Sequence, residues 1–238
     1  MAAILSLTVR QLVGSRRAWL VAALVGLPVL VAALSHLADS TANAGELADN
    51  LTGTLIASGT LPLVLLLLGT ASLGNELSDR TLVYLTTKPL ARWHIVAPKL
   101  LAPMLVGAVP VAVGGGIAVA LTGAGGFRGA AATGIGLLAG GVAYAAVFTW
   151  AGLATRHALL LGLVYVFIWE AALARYLDGI RYLSVRRFAL GVIEGIDGTR
   201  LTTLERPPGV LPSALLAGGV VVVFALLAVR RLRRLDVP

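Results

Sequence analysis

Residues 75–99 read NELSDRTLVYLTTKPLARWHIVAPK, and what lies on either side of them decides the fold. Before them stands LIASGTLPLVLLLLGTASLG at 55–74 and after them LAPMLVGAVPVAVGGGIAVAL at 101–121, and neither stretch holds a charged residue. The block between them holds Glu76, Asp79, Arg80, Lys88, Arg92 and Lys99. About 20 apolar residues in a helix cross the ~30 Å hydrocarbon layer of a bilayer, so the flanks read as membrane spans and the block as a polar loop between them. One concentrated polar patch in an otherwise lipid-soluble chain is where something soluble can push on the membrane part.

Composition agrees. Hydrophobic residues make up 58% of the chain and charged residues 13%, with a mean hydropathy of +0.92. Soluble domains are about half apolar and about a quarter charged, so a soluble enzyme or binding module is excluded. The chain has no cysteine, which removes disulfides and thiolate metal sites. The isoelectric point near 10.8 does not indicate nucleic acid, because the basic residues stand at the ends of apolar runs rather than along one amphipathic face.

Working outward, six spans are expected, at 18–37, 55–74, 101–121, 130–153, 158–176 and 211–229. Backbone groups in lipid must be satisfied internally and the alternation of a barrel strand is missing, so all six are helices. With the N-terminus inside, twelve of the nineteen Lys and Arg fall on the cytoplasmic side. Arg128 is alone in the short outer loops, and six more lie between Arg175 and Arg206, a long outer stretch where the positive-inside bias is weak. The first outer loop carries Asp39, Glu46 and Asp49 and no cation. The chain is therefore read as an all-α integral membrane protein, one transmembrane domain over 1–238, with both termini cytoplasmic. Ser15, Arg16 and Arg17 ahead of the first run, with Ala42, Asn43 and Ala44 after it, imitate an export signal with a cleavage site. Five further spans favour an uncleaved anchor. Residues 3–17 put Leu5, Val9, Leu12 and Val13 on one helical face and Ser6, Arg10 and Arg17 on or near the other, an amphipathic helix lying in the inner interface.

Within the polar block Pro89 cannot continue a helix, so a helical piece over about 75–87, a bend, and a second piece feeding the third span after Pro98 are expected. Leu82, Val83, Tyr84 and Leu85 give the first piece an apolar side. The alternative is an interfacial re-entry held by snorkelling Lys88 and Arg92. Gly136 and Gly140, four apart inside a span, indicate close helix packing in this chain or across a dimer.

The order of an interfacial helix, six spans and an inner loop running Glu76, Arg80-Thr81-Leu82, then Lys88-Pro89-Leu90-Ala91-Arg92 and Lys99 resembles the permease subunits of ABC exporters of the type-2 family. Arg80 stands where many members carry Gly. Trp169-Glu170 in the fifth span and Tyr182-Leu183-Ser184 beyond it resemble a bacterial branch of that family. The resemblance implies a multi-pass protein of the cell inner membrane that forms a substrate pathway as a dimer, with a second copy or a related permease. It implies two copies of a cytosolic ABC ATPase subunit that carry ATP and Mg, and no cofactor on this chain. Glu76, Asp79, Arg80, Thr81, Lys88, Pro89 and Arg92 would then couple to the ATPase.

The chain shows no Gly-rich loop ending in Lys-Ser or Lys-Thr, so no phosphate cradle of its own. No catalytic residue is assigned. His36, His94 and His157 are isolated, which speaks against a metal site, and the serines lack a Gly-flanked elbow, so an intramembrane enzyme is the weakest reading. Glu170 is the one acid deep in a span, about 18 Å from Ala158 and ~9 Å short of Tyr176 at 1.5 Å per residue. An intramembrane carboxylate faces a partner or a wet cavity. It lines the pathway or takes up a proton, as an ion-coupled carrier would use it, or it is a structural clamp to Arg175, Arg181 or backbone amides. Trp169 beside it packs against lipid or a neighbouring helix. Residues 178–208 are too long for a simple loop, and Arg186, Arg187 and Phe188 among Leu190, Val192 and Ile193 indicate a short amphipathic helix dipping back toward the bilayer. By resemblance it caps the outer exit.

The topology has a direct test, because introduced cysteines stand alone in this chain. Ala44→Cys and Thr199→Cys react with an impermeant thiol reagent added outside intact cells, and Thr86→Cys does not. Outside labelling at Thr86 inverts the arrangement.

Overall fold

A computed structural model of the chain describes residues 2–38, 44–78, 92–155, 157–168, 184–198 and 209–234, and no strand occurs among them. The helices are α1 (Ala2–Val13), α2 (Arg16–Leu37), α3 (Ala44–Asn50), α4 (Leu61–Ser78), α5 (Trp93–Pro103), α6 (Val109–Thr122), α7 (Gly126–Ala154), α8 (Ala158–Val164), α9 (Val185–Asp197) and α10 (Val210–Arg234). A wide-turn stretch, Leu51–Thr60, joins α3 to α4, and a second, Met104–Ala108, joins α5 to α6.

Five helical runs among the described residues are long and apolar enough to cross a membrane: Arg16–Leu37, Ala44–Gly74, Trp93–Thr122, Gly126–Ala154 and Val210–Arg233. The apolar helix Ala158–Ile168 is shorter, and the rest of the fifth expected span, 169–176, lies outside the described residues. The helices outrun the hydropathic spans: the second begins at Ala44 rather than 55, and the third at Trp93 rather than 101. Hydropathy marks the part of a helix that needs lipid, and backbone hydrogen bonding continues beyond it wherever the end is packed or capped.

Proline explains where the turns widen. Its ring clashes with the carbonyl four residues back and it has no N–H to give. Pro62 and Pro110 each follow just after a wide-turn stretch, at whose end the N–H of Leu61 reaches the Ile56 carbonyl and that of Val109 the Met104 carbonyl, five residues back. Local widening of this kind absorbs a proline without breaking the rod. The Ser58 hydroxyl donates to the Gly53 carbonyl at 2.7 Å inside the first stretch. Pro98 and Pro103 sit within α5, so the piece feeding the third span runs through Pro98 as helix.

α7 is the hub, packed against α4, α6, α9 and α10. Its glycines make the close approaches. A Cβ on Gly136 would stand 2.6 Å from the Ala189 carbonyl oxygen, one on Gly140 2.8 Å from the Ala189 Cβ, and one on Gly152 2.7 Å from the Thr70 carbonyl oxygen. The Gly136 and Gly140 pair thus packs within this chain. Around it Leu61, Leu65, Leu68 and Leu137 are buried, and Tyr144 stacks on Phe148 at 5.7 Å, which meets Tyr165 edge-on at 6.2 Å. At the rim, α2 exposes Leu20, Leu27, Leu30 and Leu34, and α10 exposes Leu211, Leu215, Val222 and Leu226, apolar faces suited to acyl chains.

α9 is amphipathic as expected, and it is buried along α7. Ala189 faces Gly136 and Gly140, while the Asp197 carboxylate comes beside Gly125 and Gly129. At 1.5 Å per residue Gly140 stands about 21 Å from the Gly126 end, half the length of α7. α9 therefore descends to half depth, and Arg187, 9% exposed, goes with it.

Overpacking a tight contact costs about 1–3 kcal/mol. Gly136→Ala accordingly lowers the melting temperature of the detergent-solubilised protein, whereas Gly26→Ala, which meets nothing within 4 Å, does not. Equal melting of both would show that α7 and α9 are not in this contact.

Candidate coupling face and buried polar groups

The polar block is entered and left by helix. α4 continues from the lipid-length run through Asn75 and Glu76 to Ser78, and the chain returns at Arg92, whose carbonyl accepts from the N–H groups of Ile95 and Val96 at 3.1 Å each. Arg92 has helical backbone angles ahead of α5 and so extends its first turn. Trp93 and His94 beside it are exposed, Trp93 to 49%.

The two helices are tied together just below the block. The Ser72 hydroxyl donates to the Lys99 carbonyl at 2.6 Å, and Lys99 itself is buried, at 1% exposure. A lysine is almost never buried so fully unless paired, so this position belongs to the interior of this end of the bundle and not to its rim. α1 packs across α5, burying Thr8 and Leu12, and the Thr8 hydroxyl turns back to the Ile4 carbonyl at 2.9 Å. Gly74 lies against Gly152 of α7, and Arg231 of α10 reaches the Ala154 carbonyl at 3.4 Å. The ends of α1, α4, α5, α7 and α10 thus converge around residues 74–78 and 92–99.

Of the residues singled out from sequence, Glu76 falls on the last turn of α4 and Arg92 at the entrance to α5. Asp79, Arg80, Thr81, Lys88 and Pro89 lie outside the described residues, as do Trp169, Glu170, Arg175 and Arg181. Sequence reasoning passed over the burial of Lys99 and of Arg187. Lys99 stands seven residues past Arg92 and four past Ile95, one buried helical face, a signal in the sequence that its proximity to the polar block obscured. Nothing local in the sequence marks Arg187 as buried.

Among the described residues no three His, Asp or Glu side chains gather as a metal cluster. At the other end of the bundle, Arg128 gives its Nε and Nη2 to the Ile196 carbonyl at 3.0 and 2.8 Å, closing the C-terminus of α9 onto α7.

The family model described as ABC-2 family transporter protein matches residues 2–180, three quarters of the chain. The chain belongs to the ABC-2 transporter family. No curated protein matches it. The matched region holds α1 to α8 and the polar block whole, and ends before α9 and α10. The protein is a multi-pass membrane permease of an ABC transporter, as its inner loop suggested, and permeases of this family generally work with ATPase subunits.

Proposed function

We propose that this ABC-2 permease is the membrane half of an exporter in the plasma membrane of a bacterium, paired with a second permease and driven by two cytosolic ATPase subunits that hold ATP and Mg. In this reading the protein has six spans, both termini are cytoplasmic, and residues 75–99 form the coupling element. The observation that carries it is the continuity of the two helices bounding that block. α3 to α4 and α5 to α6 are runs of 31 and 30 apolar-rich residues that cross the bundle, and they leave the polar block with no described break.

A helix resists bending because every interior turn is hydrogen bonded. A push at Ser78 or Arg92 therefore moves a rod rather than a loop. The Ser72 to Lys99 bond makes the two rods move together at their loaded ends, and α1 braces α5 from the side. Closure of the ATPase subunits would tilt the pair and alternate access to a pathway between the two permeases.

Copurification from native membranes tests the assembly: a stoichiometric ATPase partner is expected, and a lone chain active by itself with a pH-driven flux would favour the carrier. For the loop, Glu76→Ala and Arg92→Ala insert and fold, yet ATPase activity separates from transport or ATPase binding weakens. Full transport by both removes the coupling assignment.

For Glu170 we favour the clamp, since Arg175 lies little more than one turn away in sequence and more arginines follow. Breaking a buried pair costs about 3–5 kcal/mol, so Glu170→Gln lowers melting temperature and yield while the surviving protein transports. A stable, ATPase-bound mutant with failed transport would make Glu170 a pathway residue instead.

A further inference from the structure

The last helix ends in a basic run that the coupling mechanism does not use. α10 continues as helix through Arg230, Arg231, Arg233 and Arg234. Its inward side is settled by packing. Ala225, Ala228 and Leu232 are buried with Ile95, Val96 and Leu100 of α5 and Leu153 of α7, and Phe224 meets Trp150 edge-on at 5.3 Å.

The outward side carries Val222, Val223 and Leu226, then Arg230 and Arg233, all exposed. Val222, Leu226, Arg230 and Arg233 follow one another at spacings of four, four and three, so helix geometry sets them side by side in one stripe. At 1.5 Å per residue the stripe runs ~17 Å along the axis, about the half of a bilayer's hydrocarbon layer that one leaflet fills. An apolar stretch of that length ending in cations has the outline of one phospholipid.

The charge on this stripe is unanswered within the described chain. Among the described residues Arg230 and Arg233 make no hydrogen bond or ion pair, whereas Arg231 gives its Nη2 to the Ala154 carbonyl at the end of α7, 3.4 Å away. α10 is packed by α5, α7 and α9. α5 and α7 have no acid, and the two on α9, Glu194 and Asp197, flank Gly195, which meets Val210 at the opposite end of α10. Val210 stands ~30 Å along the axis from Arg230. Like charges three apart on a helix repel, and the half charge of a helix C-terminus offsets only part of two guanidiniums. An anion between them removes that repulsion.

The pair also selects the anion. Guanidinium groups take phosphate oxygens in charge-assisted bonds of matched geometry. A zwitterionic headgroup brings an ammonium of its own to the same place, which two arginines disfavour, and a headgroup charged only by its phosphate does not.

We propose that this stripe of α10 binds one anionic phospholipid, with Arg230 and Arg233 on the headgroup phosphate and the acyl chains along Leu226, Val223 and Val222. The other side of the same turns is packed on Ile95 and Leu100, so the bound lipid steadies the corner where α10 meets α5. On the orientation proposed above the lipid belongs to the cytoplasmic leaflet, where anionic lipids gather, although the site itself does not depend on the exporter reading.

The test uses the purified full chain in neutral detergent, with dioleoyl phosphatidylglycerol, dioleoyl phosphatidylcholine and the soluble headgroup glycerol 3-phosphate as probes. Phosphatidylglycerol should raise the melting temperature saturably, and native mass spectrometry should retain one such lipid per chain. The other two probes should do neither at the same concentration. Arg230→Gln combined with Arg233→Gln should weaken the phosphatidylglycerol response at least tenfold, yet melt as wild type does without lipid. Arg16→Gln, an exposed arginine on α2, which packs on α4 and α6, should respond as wild type does. If the double variant is not recovered, Arg230→Gln alone decides the matter, with a several-fold loss expected. An equal response to phosphatidylcholine, a response reproduced by glycerol 3-phosphate, or one undiminished in the Arg230 and Arg233 variants overturns the proposal. An equal loss in Arg16→Gln overturns it as well, by marking a diffuse basic surface. So does a wild type indifferent to phosphatidylglycerol whose double variant no longer copurifies with an ATPase subunit, which would give the stripe to that partner.

Discussion

The approach of backbones along α7 is the constraint on which the rest of the structure depends. Apolar side chains gain nothing by leaving lipid for one another, so helices in a membrane associate through close packing and hydrogen bonds, and small residues permit it. α7 supplies such residues on several sides: Gly152 toward Thr70 of α4, Gly136 and Gly140 toward Ala189 of α9, and Gly141 toward Ala108 at the joint of α5 and α6. A larger side chain at any of these would meet backbone or a Cβ, neither of which can swing away.

Two consequences follow for the polar groups. Because α9 is drawn against the middle of α7, Arg187 is carried into the bundle with 9% exposure. α4 is held by Gly69, Gly74 and Gly152 contacts to α7, and it delivers Ser72 to the Lys99 carbonyl. The long rods also connect the two ends of the molecule. One begins at Ala44, passes Asp49 beside a cavity of about 180 Å³ at the far end and ends at Ser78, so the polar block and the far cavity lie along one helical run. The wide turns lie between those ends, where proline has already loosened the ladder.

The polar block and the cavity differ in how far they could be read beforehand. The polar block is conspicuous in the sequence because charge is scarce around it, and its family resemblance rests on residues close together in the chain. The cavity draws Asp49, Thr133 and Asp197 from places far apart in sequence, each unremarkable alone: an acid in an acidic loop, a threonine in a span and an acid at a helix end.

By itself the sequence determined the membrane class, the helical secondary structure and the position of the polar block, because each follows from local hydropathy and from the need to satisfy backbone groups inside lipid. Helices extend beyond the hydropathic spans at 55 and 101, since hydropathy does not register a helix that continues into a packed or polar environment. That Gly136 and Gly140 meet α9 within the chain, that α9 is buried to half depth, and that Lys99 is an interior residue were decided only by the tertiary structure. These are contacts between segments distant in sequence, and periodicity names the face a helix presents without naming the helix that covers it.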